Sequence, residues 1–93
     1  MITWDDAKRQ QVIRDHGVDF DKIMDVFDDP FGIYYEDFGH SHENDRRFIV
    51  VGLTNYYGLV FAVYVYLDEN DIHFITARRA ENWMVNEYER NRK

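Results

Sequence analysis

Ninety-three residues, 45% hydrophobic and 17% aromatic, supply enough apolar side chain for one modest core and too little length for two. With no cysteine, disulfide frameworks and Cys-based zinc sites are excluded. The net charge of −7 argues against long-range attraction to nucleic acid, but it is unevenly spread: residues 1–45 hold 12 acidic and 4 basic side chains (−8), and residues 46–93 hold 6 and 7 (+1).

That division predicts an acidic face, solvated or open to a basic protein partner, and a near-neutral face with localised arginines. One proline and the lack of repeats or low-complexity runs predict a single domain over residues 1–93. The N-terminus has neither a basic nor an apolar segment of the secretory kind. The longest mainly apolar run, Leu59 to Leu67, is too short to span a bilayer. A soluble, cytoplasmic protein is expected, with no membrane partner.

In chain order, Ile2-Thr3-Trp4 reads as a short edge strand. Asp5 can cap a helix to His16, which Gly17 ends in a left-handed C′ position, with Trp4, Ala7, Val12 and Ile13 as its buried contacts. Phe20, Ile23, Met24 and Phe27 recur at i, i+3, i+4 and i+7, which predicts a second helix capped by Asp19 and stopped at Asp28-Asp29-Pro30. Four strands follow: Phe31–Asp37, Arg47–Leu53, Leu59–Leu67 and Ile72–Thr76. The third is near-continuously apolar and therefore central. Ala80, Met84 and Tyr88, four apart, predict a last helix to about Asn91. The expected plan is α+β: N-terminal helices, a four-stranded antiparallel sheet and a C-terminal helix, with helices on one sheet face.

The chain contains no Gly-rich phosphate loop, nucleophile elbow or metalloprotease helix motif, and no cofactor is expected. His40 and His42, in a polar loop, match no metal-ligand spacing, so no metal site is assigned. Arg78-Arg79 is more informative. Two arginines where a strand gives way to a helix oppose the positive potential of a helix N-terminus. Either they hold an anion, such as phosphate or carboxylate, or they pair with Asp68, Asp71 or Glu81. Alternation places His73 with Ile75 and Ala77 on one strand face, and Thr76 on the other. Close to the arginines, His73 could move a proton while they stabilise a pentacoordinate phosphate, cleaving RNA without metal. On the bare sequence, a half-exposed strand histidine with no such role is the favoured reading.

Five pieces in order carry a resemblance: Trp4-Asp5 with Lys8; His16-Gly17-Val18-Asp19-Phe20 with Val26-Phe27-Asp28-Asp29-Pro30; Asp37 with His40-Ser41; Arg47-Phe48 with Gly52; and Thr76-Ala77-Arg78-Arg79-Ala80 with Tyr88. Together they resemble the BrnT-type toxins, the ribonuclease half of bacterial type II toxin–antitoxin pairs. The resemblance implies a fold similar to RelE-type endoribonucleases, and RNA cleavage that blocks translation. It also implies a cognate ribbon-helix-helix antitoxin, through which alone DNA is contacted. Arg78 and Arg79 match the family's arginine pair, with Thr76 beside them. The resulting site comprises Arg78, Arg79, His73 and Thr76 for catalysis, and Arg78, Arg79 and Arg47 for RNA. The chain departs from the family at His73 and Asp68, where basic residues are usual, and at Met84, where an acidic one is. The alternative reading is accordingly a catalytically degenerate member of the same fold that binds the antitoxin.

Overall fold

Asp5 opens α1 (Asp6–His16) by accepting the Ala7 N–H at 3.0 Å, and Gly17, at φ 68°, closes it with its own N–H on Ile13 O at 2.9 Å. Only Gly adopts that left-handed backbone without strain. Of the contacts expected from α1, Val12 is buried and Trp4 half-buried, whereas Ala7 and Ile13 face solvent. The computed structural model describes residues 1–39, 41 and 45–93; His40 and His42 lie outside the described residues.

The second predicted helix is instead two 3-10 turns, Phe20–Lys22 and Met24–Asp28. Asp19 does cap the first, accepting the Asp21 N–H at 3.0 Å. At Ile23 the backbone leaves helical geometry (φ −125°, ψ 9°). The buried residues are Phe20, Ile23 and Val26, a spacing of three that suits three residues per turn, while Met24 is exposed. The residues 20–27 thus contain both periods, and packing selects the shorter.

The strands are β1 (Ile2–Thr3), β2 (Ile33–Glu36), β3 (Phe48–Thr54), β4 (Gly58–Tyr66) and β5 (Ile72–Arg79), followed by α2 (Asn82–Arg92). The sheet has five strands in the order β1-β5-β4-β3-β2 and is mixed. The expectation of four antiparallel strands is corrected because β1 pairs parallel to β5, Ile2 with Ile72 and Thr3 with His73. β4 is central, as its apolar run requires. Helices on one face alone is also corrected. Val12, Phe20, Ile23, Val26, Val50, Ala62 and Phe74 form a core under α1 and the 3-10 turns. Val51, Phe61, Val63 and Met84 form a smaller one under α2, on the opposite sheet face. Neighbours in a strand divide between the two cores (Val50 from Val51, Phe61 from Ala62), so β4 reads apolar throughout because it is covered twice.

Two side-chain arrangements lock the layers together. Asp29, after the second 3-10 turn, accepts the N–H of Phe31 (2.9 Å), the N–H of Leu53 in β3 (2.8 Å) and the hydroxyl of Tyr88 in α2 (2.7 Å). Burial pushes its carboxyl up, but these hydrogen bonds outweigh burial and hold it below the ordinary value. Gly52 lets the second 3-10 turn lie against β3: a Cβ there would stand 2.9 Å from both Val26 Cγ2 and Val26 O. Gly52→Ala is expected to cost about 1–3 kcal/mol by overpacking, read as a fall in thermal midpoint. An unchanged midpoint would contradict this close packing. Asp29 supports the native state fully only above its unfolded-state pKa, and this support is lost as pH falls through the depressed folded value. Asp29→Ala should therefore lower stability at neutral pH by about 1–3 kcal/mol, chiefly because the part-buried Tyr88 hydroxyl loses its acceptor. It should also flatten the acid limb of the stability–pH curve below about pH 4.

Candidate functional site

β5 carries an irregularity that decides which side chains share a face. Val63 of β4 pairs with Thr76 and the next residue, Tyr64, with Phe74, so Ile75 is an extra residue. Such a β-bulge resets the alternation beyond it. Val65 pairs with His73, Val63 with Thr76 and Phe61 with Arg78, and cross-strand partners point the same way. Phe61 and Val63 lie in the α2-side core. His73, Ile75, Thr76 and Arg78 therefore share the α2 side of the sheet. Simple alternation had set Thr76 opposite His73; the bulge reverses that.

The same register separates the arginine pair. Arg78 lies over the Phe61 ring at 5.6 Å on the α2 side. Arg79, paired with the core residue Val60 of the other layer, lies over Tyr57 at 5.3 Å and donates Nη1–H to Tyr57 O at 3.2 Å. Both are the last residues of β5, not the first of α2, whose cap is Glu81. The expected clash with the helix dipole is thus relieved by geometry, since two residues intervene before α2 begins. Both guanidinium groups are exposed and, among the described residues, neither forms an ion pair with a carboxylate. Of the two sequence alternatives, neutralisation by Asp68, Asp71 or Glu81 is not what the chain does. Asp68 instead closes its own turn, accepting the N–H of Asn70 and Asp71 at 2.8 and 3.0 Å, and Asp71 pairs with the N-terminal ammonium at 3.0 Å.

His73 does not stand beside the arginines. Its Nδ1 is 2.9 Å from the Thr3 hydroxyl, which ties the ring to β1. His73, Thr76 and Arg78 pair with Val65, Val63 and Phe61, which follow two apart along β4 at ~7 Å, so Thr76 lies between His73 and Arg78, roughly 7 Å from each. Arg47 joins from across the sheet. Its carbonyl accepts the Asp37 N–H at 2.8 Å, extending the β2–β3 ladder one pair beyond Phe48. By alternation it falls on the side of Ile49, which packs against the α2-side core.

α2 runs over only part of this face. Met84 and Tyr88 are buried, while Ile49, Val65, Ile75, Thr76, His73, Tyr35 and Arg47 remain half-buried. Among the described residues, two polar atoms here are buried and lack any partner: Arg47 Nε and Tyr35 Oη. Burial, and then the charge of Glu87, push the Tyr35 phenol up. Native proteins pair most such atoms. An open, mostly apolar floor with a guanidinium group at each of two sides and the Tyr35 phenol at its β2 edge suits an anionic ligand that stacks and is gripped at several points.

The sequence model of one family, described as "Ribonuclease toxin, BrnT, of type II toxin-antitoxin system", matches residues 4–82. The chain belongs to this family. A solved structure, that of the Brucella abortus ribonuclease toxin BrnT, is similar at a TM-score of 0.67 and 23% identity. The likeness covers 87% of this chain and 96% of that one, and at that identity it establishes the fold. No curated protein matches. Membership in the BrnT family implies an antitoxin as partner. No helix among the described residues is long and apolar enough to cross a membrane. The matched residues include Arg47, His73, Thr76, Arg78 and Arg79, while nearly all of α2 lies beyond them.

Sequence reasoning missed Tyr35. The available signal was its alternation with Ile33, which sets both on a covered face, combined with the need of a buried phenol for a partner. Tyr35→Phe removes an unsatisfied hydroxyl without changing shape. Stability should hold or rise by up to about 1 kcal/mol, measured by urea unfolding. A loss of that size would mean that the hydroxyl is already satisfied in the free protein.

Proposed function

We propose that this BrnT-family chain is a metal-independent endoribonuclease that blocks translation in the cytoplasm. In this reading it is one domain with a fold akin to RelE-type endoribonucleases, and a ribbon-helix-helix antitoxin restrains it and alone contacts DNA. The observation that carries this is the open α2-side sheet face, where, among the described residues, Arg78 and Arg47 form no ion pair with a carboxylate and Arg47 Nε and Tyr35 Oη have no hydrogen-bond partner. Arg78 and Arg47 grip phosphates at two sides of the floor, and Thr76 donates its hydroxyl between them. Guanidinium groups suit a pentacoordinate phosphorane because they offer charge and directed N–H donors together. His73, fixed through Nδ1 by Thr3, has Nε2 as the atom that moves a proton between the 2′-OH and a leaving oxygen. It lies in the Arg47 row rather than beside Arg78, so the scissile phosphodiester is set nearer Arg47 and Thr76. Arg79, on the other face, binds RNA outside the reacting centre.

A second reading is favoured by two of the departures. Met84 is buried in the α2-side core, and Asp68 spends its carboxylate on its own turn, so neither position supplies a charge to the open face. A degenerate member would then bind only its antitoxin.

Purified chain incubated with single-stranded RNA separates the two. Cleavage is expected, and Arg78→Ala or Arg47→Ala should each slow it by roughly 10²-fold or more, as for loss of one transition-state donor, with folding unchanged by circular dichroism. Intact RNA after incubation with the wild-type chain would leave the antitoxin-binding reading.

A further inference from the structure

On the face opposite Arg78, the surroundings of Arg79 form an arrangement that the reacting centre does not use. Its guanidinium lies over Tyr57. Tyr57 meets Tyr56 edge-on, with ring centroids 4.7 Å apart at 70°, and Lys22 Nζ stands 4.1 Å from the Tyr56 centroid. A line of cation, ring, ring and cation thus runs from the end of β5 to the first 3-10 turn. Tyr56 is 63% exposed. The turn that presents it is held firmly. Asn55 N–H donates to Asp25 at 2.8 Å, Thr54 Oγ1 donates to Gly58 O at 2.8 Å, and Tyr57 N–H donates to Thr54 Oγ1 at 3.1 Å. Tyr57 Oη accepts the Asp19 N–H at 3.1 Å.

An exposed ring on a firmly held turn, with one cation over it and another over the adjoining ring, suits an unpaired nucleobase with its phosphates. Two of the nearby carboxylates are already engaged: Asp19 by Arg9 at 2.8 and 2.9 Å, and Asp25 by Asn55. Stacking also does not depend on net charge, so it supplies affinity that a chain of −7 cannot draw from long-range attraction. We propose that Tyr56, with Lys22 and Arg79, forms a stacking subsite for one unpaired nucleotide of the RNA. The bound strand then turns around the end of β5, its reacting phosphate on the Arg78 side and a flanking base on the Tyr56 side. This rests on the ribonuclease reading above.

The test is binding of a labelled, uncleavable 2′-O-methyl RNA of about ten nucleotides, a length typical of such tracks, to the full chain by fluorescence anisotropy. Tyr56→Ala should raise Kd by about five- to tenfold, at the lower end of base–aromatic stacking. Tyr56→Phe and Tyr56→Trp should bind as the wild type does, with the new indole quenched by RNA. Should Tyr56→Ala bind normally while Arg78→Ala loses affinity, the subsite is wrong and the ribonuclease reading survives. Absence of RNA binding by the wild type would sink both. Unaltered RNA binding by Tyr56→Ala with weakened antitoxin capture would assign the ring to the protein partner and overturn the subsite.

Discussion

Between Phe74 and Thr76, β5 takes in one residue more than β4 can pair, and the chemistry proposed here depends on that insertion. An uninterrupted strand would put Thr76 and Arg78 with Phe74, inside the core beneath α1. The bulge resets the phase so that Phe74 and Ala77 both reach that core while Ile75, Thr76 and Arg78 turn to the α2 side. A hydroxyl and a guanidinium are thereby moved from a face that has no room for them to one that is half open. The bulge forfeits regular ladder pairing at one point, a cost that strands near functional sites commonly carry.

Covering both faces of the sheet is what leaves this opening. α1 and the 3-10 turns cover most of one side, with Phe20, Phe27 and Phe74 stacked at centroid distances of 5.2 and 5.9 Å. α2 is shorter than the face it lies on. Its far end is fixed by Tyr88 on Asp29, and Asn91 donates to Phe31 O at 3.0 Å, while its near end follows directly from β5. Held at both ends, it crosses the sheet beside Arg78, burying Val63 and leaving Thr76, Ile49 and Tyr35 of that row partly uncovered. The Tyr88 phenol, pushed up to about 12 by burial and by its hydrogen bond to Asp29, stays a donor throughout the physiological range.

Much of this was legible in the chain. Asp5 and Gly17 mark α1, the apolar run of β4 marks the centre of the sheet, and Met84 with Tyr88 marks the docked stripe of α2. Where reading failed, two local patterns competed. Residues 20–27 satisfy both a 3.6 and a 3.0 period, and the choice rests on packing against the sheet, where Gly52 allows β3 to approach Val26. The parallel pairing of β1 rests on two residues, too few for any periodic signal. The bulge has no signature because Ile75 is a good strand residue in either phase. For that reason the arginines were recognised as the notable pair, but their division between two faces, and the distance of His73 from them, were not.

The acidic balance need not weaken the ribonuclease reading, because 12 of the 18 carboxylates lie in residues 1–45 and the open face is built mainly from β3, β4 and β5. The most direct test of that face is NMR titration of the labelled chain with uncleavable single-stranded RNA. Arg47, Ile49, Val63, Thr76 and Arg78 should shift together and saturate with one affinity. Shifts that bypass these residues, with RNA bound all the same, would contradict the assignment of this sheet face.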